Sequence, residues 1–337
     1  MNHEAPPPER MFQMITSYWV SQAVGTFADL GLADQLASGA KSARDVAATA
    51  GTDPEATYRL LRMLASVGVV AQTDAQFTLT PVGATLRRDV PGSMRDMARA
   101  QTMPGHWLPW GRLSDAIRTG TRQTAAALGM ELFDHYARHA EERDAFVGAM
   151  HGLASLVANE APRVYDASSH RVLCDLGGSS GTIAAGFLRA NPTLSGIVFD
   201  LPEVAPNATS AIAKAGLTDR CCAVGGDFFV DVPVADLYVM KHVLHDWNDE
   251  QCKTILGNCA KHLQPGGRVL IIEMVIPDDG RPSAAQLMDV NMLVVTHGKE
   301  RTTGQYAELL AAAGLRLVDV RQTHSPLQVV VADKTAA

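Results

Sequence analysis

VLCDLGGSSGTIAAGFL, residues 172–188, reads as a β-strand, a glycine-rich turn and a helix, and the rest of the chain falls into place around it. Asp175 lies in the strand run, with Gly177, Gly178 and Gly181 behind it. Glycines let a chain reverse sharply and bring its backbone close to a ligand above a helix N-terminus. The spacing is not the GxGxxG of dinucleotide sites, because a carboxylate precedes the turn and would repel a pyrophosphate. Asp175 suits a cationic group better.

Downstream of the first run at 171–175, short β-rich runs recur at 196–200, 221–225, 236–240 and 268–273, with helical stretches between them. This alternation predicts an α/β fold with a doubly wound, Rossmann-like parallel sheet. Two last runs, 316–320 and 327–332, lie too close together for a parallel crossover, so an antiparallel hairpin should close the sheet edge. The second run ends at Asp200, followed by Leu201, where a carboxylate can accept both hydroxyls of a ribose. The third ends in GGDFF, 225–229, with Asp227 placed to accept from an adenine amino group and Phe228 to pack on its face. Each aspartate alone could be a helix cap or turn former. Three at successive strand ends are much harder to dismiss in that way. Ribose recognition would fit NAD as well, whereas the cationic group expected at Asp175 matches the amino group of S-adenosylmethionine.

The fourth strand end carries YVMKHVLHDWNDEQC, 238–252. A lone histidine is more often a surface or core group than a catalyst, but His245 follows the strand at the ligand-binding edge and is a candidate. His242 and His245 with Asp246 could also be read as metal ligands; no complementary Cys or His cluster exists elsewhere, and no metal is expected. The fifth strand, RVLIIE, ends at Glu273, another acid at the same edge, which could also be only a solvated strand terminus.

Upstream, the segment from Met11 to Leu36 is apolar on most of its circumference. Phe12, Ile15, Trp19, Ala23 and Phe27 form one stripe, with Met14, Tyr18 and Val24 beside it. A surface helix needs one such face, so a second copy of the chain is expected to cover the other. From Ser42 to Thr80 a short helix, a turn at 51–54, a second helix and two alternating runs outline a winged helix. Residues 41–90 hold six basic side chains against five acidic ones, a sum of +1, which favours a structural or dimerising role over DNA binding. Residues 92–162 read as helical, with an aromatic insert, MPGHWLPW (103–110), and an amphipathic stretch at 133–153. Such side chains are usually core, yet a flat organic substrate would want the same lining.

At 337 residues the chain is about twice a usual domain of ~150 residues, so more than one core is expected. The expected division is a winged-helix dimerisation domain over 1–92, a helical, substrate-lining segment over 93–162 and a catalytic domain over 163–337. A net charge of −7 gives no field toward phosphate backbones, so nucleic acid is an unexpected partner. No apolar run approaches the ~18 residues of a membrane span, and MNHEAPPPER lacks a basic-then-apolar leader, so no membrane and a cytoplasmic location are expected. The five cysteines lack a CxxC pair or a disulfide framework and read as reduced thiols that pack.

Taken together, DLGGSSG, FDLPEV, GGDFF, KHVLHDWND, GGRVLIIE and GKERT resemble the O-methyltransferase family of plant caffeic-acid and isoflavone enzymes and of bacterial antibiotic and pigment biosynthesis. The similarity covers nearly the whole chain. It implies a homodimer that transfers a methyl group from S-adenosylmethionine to a hydroxyl of a small aromatic or polyketide-like molecule, releasing S-adenosylhomocysteine and needing no metal. The family's general base falls on His245, and its two flanking acids on Glu273 and Glu300. Cofactor positions fall on the Gly177–Gly181 turn, Asp200, Leu201, Asp227, Phe228 and Lys241, beside Asp175, whose cofactor role is read from its charge. Substrate-lining positions fall on Trp107, Phe146, Met150, Asp246 and Asn291. Ser179 stands where many members carry a third turn glycine, which is tolerable if the position does not need a positive φ. His297 stands where glycine is usual before GKERT.

Methyl transfer from a sulfonium is an in-line displacement, so the enzyme must align the reacting atoms and remove the hydroxyl proton. Neutral His245 can take it, helped by a carboxylate, Glu273 or Glu300, that holds the ring and stabilises the imidazolium. Two other readings compete. A member diverted to hydroxylation, decarboxylation or cyclisation is disfavoured by the intact His245, Glu273 and Glu300 set. A winged-helix regulator that senses S-adenosylmethionine is disfavoured by the near-neutral wing.

Overall fold

The run at the head of the glycine turn is an inner strand of a seven-stranded sheet. The structure, a computed structural model, describes residues 5–335; the leader reading at the N-terminus falls partly on residues 1–4, outside them. The sheet is built from β1 (Val172–Leu176), β2 (Ser195–Asp200), β3 (Cys221–Gly225), β4 (Ala235–Lys241), β5 (Leu263–Glu273), β6 (Leu315–Gln322) and β7 (Gln328–Lys334). Their order across the sheet is β6-β7-β5-β4-β1-β2-β3. The pairs among β1 to β5 are parallel, and β7 runs antiparallel to both β5 and β6, which is the hairpin expected at the edge.

Burial on both faces follows residue parity. Leu237, Val239, Leu270, Ile272, Val329 and Val331 belong to one core, with Ile183, Ala184, Phe187 and Leu188 from the helix Thr182–Ala190 packed over them. Tyr238, Met240, Val269, Ile271, Val330 and Ala332 belong to the other, covered by Ile255, Leu256 and Cys259 of the helix Asp249–His262 and by Tyr306, Leu309 and Leu310 of Thr303–Ala312. Period-two strands buried on both sides are what a parallel sheet with helices on each face requires. Each fully buried aliphatic side chain contributes roughly 1.5–3 kcal/mol. Cys174, Cys221, Cys252 and Cys259 are buried free thiols, and only Cys222 is exposed.

β1 has β2 on one side and β4 on the other, so the chain reverses its direction across the sheet at β1. In doubly wound sheets ligands bind outside the carboxyl ends of the strands at that point. The β1/β4 register places Leu176 beside Met240, which brings the glycine turn next to the Lys241–His245 segment.

The chain forms two compact units, residues up to Leu108 with Met130–Gly152, and Pro109–Gly129 with Leu153 onward. In the first, the helices Ala43–Ala50 and Pro54–Ser66, capped by Ser42 and Asp53, pack with a three-stranded wing whose hairpin pairs Val70–Thr73 with Gln76–Leu79. The apolar segment expected to run unbroken to Leu36 is two helices, Pro7–Asp29 and Leu32–Leu36, parted by Gly31 at φ +64°. The expected single stripe divides as well. Ala23 and Phe27 are buried in this unit's own core, while Phe12, Ile15 and Trp19 are 59%, 64% and 49% exposed. The stretch at 133–153 likewise breaks at His139 (φ −123°, ψ +82°), between Leu132–Arg138 and Ala140–Ala158. Among the described residues no helix is long and apolar enough to cross a membrane.

Candidate active site

The glycine turn is shaped by what it touches. Gly177 takes φ +63°, and a Cβ added there would lie 2.9 Å from Cγ2 of Val243, so the turn presses on the segment that carries His245. Gly178 and Gly181 pack against Asp175 and Val198. Asp175 is 1% exposed, and its Oδ2 accepts the Ala184 N–H at 3.1 Å, tying the strand to the helix beneath the turn. Burial, opposed by that N–H, pushes its carboxyl up to about 7. Ser179 does adopt a positive φ, +50°, so the condition under which serine would be a neutral replacement is not met. Its N–H donates to Asp200 Oδ2 at 2.8 Å, which offsets the conformation.

Asp200 ends β2, and its Oδ1 accepts the Leu201 N–H at 2.8 Å. Each oxygen keeps a second lone pair, enough for two vicinal hydroxyls. Burial raises this carboxyl, and the Ser179 and Leu201 N–H groups counter it. Leu201 is exposed. Asp227 is exposed and accepts the Phe229 N–H at 2.8 Å. The Phe228 ring meets Phe229 and Trp247 edge-on, with centroids 5.0 and 6.2 Å away, and leaves an aromatic wall beside Asp227. Lys241 ends β4; burial lowers its ammonium to about 8 against the pull of Asp175, Asp246 and Glu273. Paired acceptors at Asp200, an aromatic wall and a glycine turn at the strand end fit the ribose, adenine and amino-acid parts of S-adenosylmethionine.

His245 sits in the short 3-10 turn Leu244–Asp246. Its Nδ1 lies 2.7 Å from Oε1 of Glu300, both groups buried. An ionised carboxylate only accepts, so Nδ1–H donates, and in the neutral ring Nε2 is the nitrogen that carries the lone pair. Burial works to lower the ring's affinity for a proton, but Asp246, Glu300 and Glu273 outweigh it and carry His245 up to about 9. Glu273 directs its hydrogen bonds elsewhere than to the ring. Its Oε1 accepts the Val243 and His245 N–H groups, each at 3.1 Å, and its Oε2 accepts the Tyr306 hydroxyl, so it holds the backbone of the turn. Glu300 is fixed in turn by its N–H donating to Asp289 Oδ1 at 3.0 Å.

Sequence reasoning missed three supports of this turn. The Arg301 guanidinium, 1% exposed, donates to the carbonyls of Leu244 (3.1 Å) and Trp247 (3.0 Å) and to Asp249 Oδ1 (2.8 Å). Tyr306 braces Glu273 from behind. Gly298 lies against the turn so closely that a Cβ there would come within 1.8 Å of the His245 carbonyl oxygen. Arg301 stands inside the GKERT motif, but spacing could not show what it grips. His297 is exposed and outside the positive-φ region, so it fits without strain.

Of the substrate-lining candidates, three lie in the first unit. Trp107 tilts against Tyr18 at 6.4 Å, Phe146 stacks on Tyr136 at 4.9 Å, and Met150 packs beside Ala100, Ala145 and Ala149. Two lie in the second. Asn291 Oδ1 accepts the Trp110 indole N–H at 2.8 Å, and Asp246 Oδ1 is 3.8 Å from His245 Nε2. Among the described residues no three His, Cys, Asp or Glu side chains converge as metal ligands.

Residues 110–316 match the O-methyltransferase domain family, and residues 12–89 match the O-methyltransferase dimerisation domain. The phenazine O-methyltransferase of Lysobacter antibioticus is 37% identical over 96% of this chain and 95% of its own length. The mitomycin biosynthesis 6-O-methyltransferase of Streptomyces lavendulae is 33% identical over 93% and 90%. The crystal structure of human N-acetylserotonin methyltransferase in complex with S-adenosylmethionine superposes with a TM-score of 0.91 at 30% identity, covering 100% of both chains. This chain belongs to the O-methyltransferase family, with S-adenosylmethionine as its methyl donor and a dimerisation domain in its N-terminal part.

Proposed function

We propose that the acceptor is a hydroxyl of a small aromatic or polyketide-like metabolite, deprotonated by His245 with Glu300 as its orienting carboxylate and without a metal. The observation that carries this reading is the buried 2.7 Å contact between His245 Nδ1 and Glu300, which leaves Nε2 as the proton acceptor. The acceptor class is supported by the relatives named for phenazine and mitomycin methylation, while the substrate-lining roles of Trp107, Phe146, Met150, Asp246 and Asn291 rest on the motif resemblance alone. We also read the chain as a cytoplasmic homodimer with functional boundaries near residues 92 and 162.

When bound, S-adenosylmethionine supplies a methyl group on a sulfonium leaving group. Asp200 would accept from the ribose hydroxyls, Asp227 and Phe228 would receive the adenine, and the glycine turn with Lys241 would border the amino-acid end. Nε2 of His245 takes the hydroxyl proton as the oxygen becomes the nucleophile. Glu300 keeps the ring in the tautomer that presents Nε2 and stabilises the imidazolium formed, while Glu273 and Arg301 keep the turn from shifting.

Replacing His245 with Ala or Gln is expected to lower turnover by roughly 10²–10⁴-fold, the range for general-base catalysis, while calorimetry finds S-adenosylmethionine affinity nearly intact. EDTA should leave the rate unchanged. The reading fails if the variant is fully active, or if chelation abolishes turnover and Mg²⁺ restores it. Product masses from a panel of phenolic, phenazine, anthracycline and hydroxyquinone acceptors would name the acceptor class.

A further inference from the structure

His242 leaves β4 immediately after Lys241 in the left-handed region, at φ +53°. Among the described non-glycine residues only Asp74 and Ser179 share that region, and both carry small side chains. An imidazole in this conformation is a strained placement of the kind that clusters at functional sites. Its backbone N–H still donates to the Ile272 carbonyl at 3.2 Å, so the strand pairing is kept while the ring is turned. The ring lies 4.6 Å from that of His245, with 13° between their planes. Its Nε2 is buried and has no partner among the described residues.

We propose that His242 is a positioning residue for the base, its ring lying flat on His245 and fixing the plane in which Nε2 of His245 meets the acceptor hydroxyl. The proposal rests on the assignment of His245 as base. A buried ring nitrogen without a hydrogen bond is unfavourable, so the ring is not placed there to serve an internal network; what its placement supplies is a face. The His245–Glu300 hydrogen bond fixes one direction and leaves rotation about that axis open. A parallel stack removes this freedom. Burial, with Lys241 and His245 beside it, keeps His242 neutral, well below the ordinary histidine range. A neutral ring accommodates an imidazolium on His245, which a second cation would oppose.

The test uses the full-length enzyme with S-adenosylmethionine and an acceptor found active. His242→Asn and His242→Gly keep the backbone conformation and remove the face. They should lower kcat by roughly 10–100-fold, the scale of a small misplacement at a reacting centre, with both KM values within about threefold and no loss of melting temperature. His242→Phe should restore most of kcat; if that variant does not fold, free imidazole added to His242→Gly should do so instead. Wild-type kcat in both first variants, an effect confined to KM, or no rescue by either a phenyl or an imidazole face would overturn the proposal. His245→Ala is measured alongside: activity there sinks the base assignment itself, whereas an inactive His245→Ala with an unaffected His242→Asn sinks only the positioning role.

Discussion

A phenol loses its proton near pH ~10 and a free imidazole gains one near ~6.5, a poor match for direct transfer. The carboxylates around His245 narrow that gap by carrying the ring up to about 9. Only the neutral ring can act as base, so kcat/KM should climb with pH through the neutral range and level off near 9, and the His245 ring protons in the ligand-free protein should titrate at the same midpoint. Glu300→Gln removes one of the raising charges and should move that midpoint to lower pH. A midpoint near 6.5 in the native protein, or an unmoved one in the variant, would show that these carboxylates do not govern the base. At Ser179 the prediction concerns stability. Removing the Cβ relieves a left-handed conformation worth about 1–2 kcal/mol, and the added freedom of the unfolded chain returns about 0.5–1. Ser179→Gly should therefore stabilise the protein by up to ~1 kcal/mol in denaturant unfolding, and a destabilised variant would contradict the strain argument.

In the proposed mechanism the element that matters most to the chemistry is the turn Leu244–Asp246. Three residues from beyond the fourth strand hold it: Glu273 by its N–H groups, Arg301 by its carbonyls, and Gly298 by close contact. A 3-10 turn has few internal hydrogen bonds of its own, so its geometry depends on such outside partners. Arg301→Met deletes the charged donors and leaves the Leu244 carbonyl with only the Trp247 N–H and the Cys252 thiol, and the Trp247 carbonyl with only that thiol. The expected loss is about 2–4 kcal/mol of stability, less than for a fully buried ion pair because Asp249 is half exposed, accompanied by a fall in kcat. Unchanged unfolding and unchanged kcat in that variant would remove Arg301 from the account.

At the scale of the whole molecule, Met11, Phe12, Met14, Ile15, Tyr18 and Trp19 stand exposed on one long helix, in a segment that matches a dimerisation domain. An apolar surface of that extent is rare on a monomer, and a two-fold partner would bury it in an interface above roughly 2,000 Å². Light scattering should find a dimer at micromolar concentration, and Ile15→Asp with Trp19→Asp should yield monomers or aggregates. A monomeric wild-type chain would refute the inference. Much of this architecture was legible beforehand, because its signals are local. The glycine turn at 177–181, the β-rich runs that became β1 to β7 and the turn at 51–54 between two short helices each depend on residues within a few positions of one another. The break at Gly31 was missed because apolar periodicity continues across it, and the left-handed His242 because its residue type does not announce that conformation, whereas at Ser179 the question was raised and only the backbone answered it. The sequence by itself therefore determined the sheet, the order of its motifs and the set of acids at its carboxyl edge. That Glu300 takes the ring while Glu273 takes the backbone was decided only by the tertiary structure, since those partners lie 55 and 28 residues from His245 and meet only where the sheet order brings their strand ends and loops together.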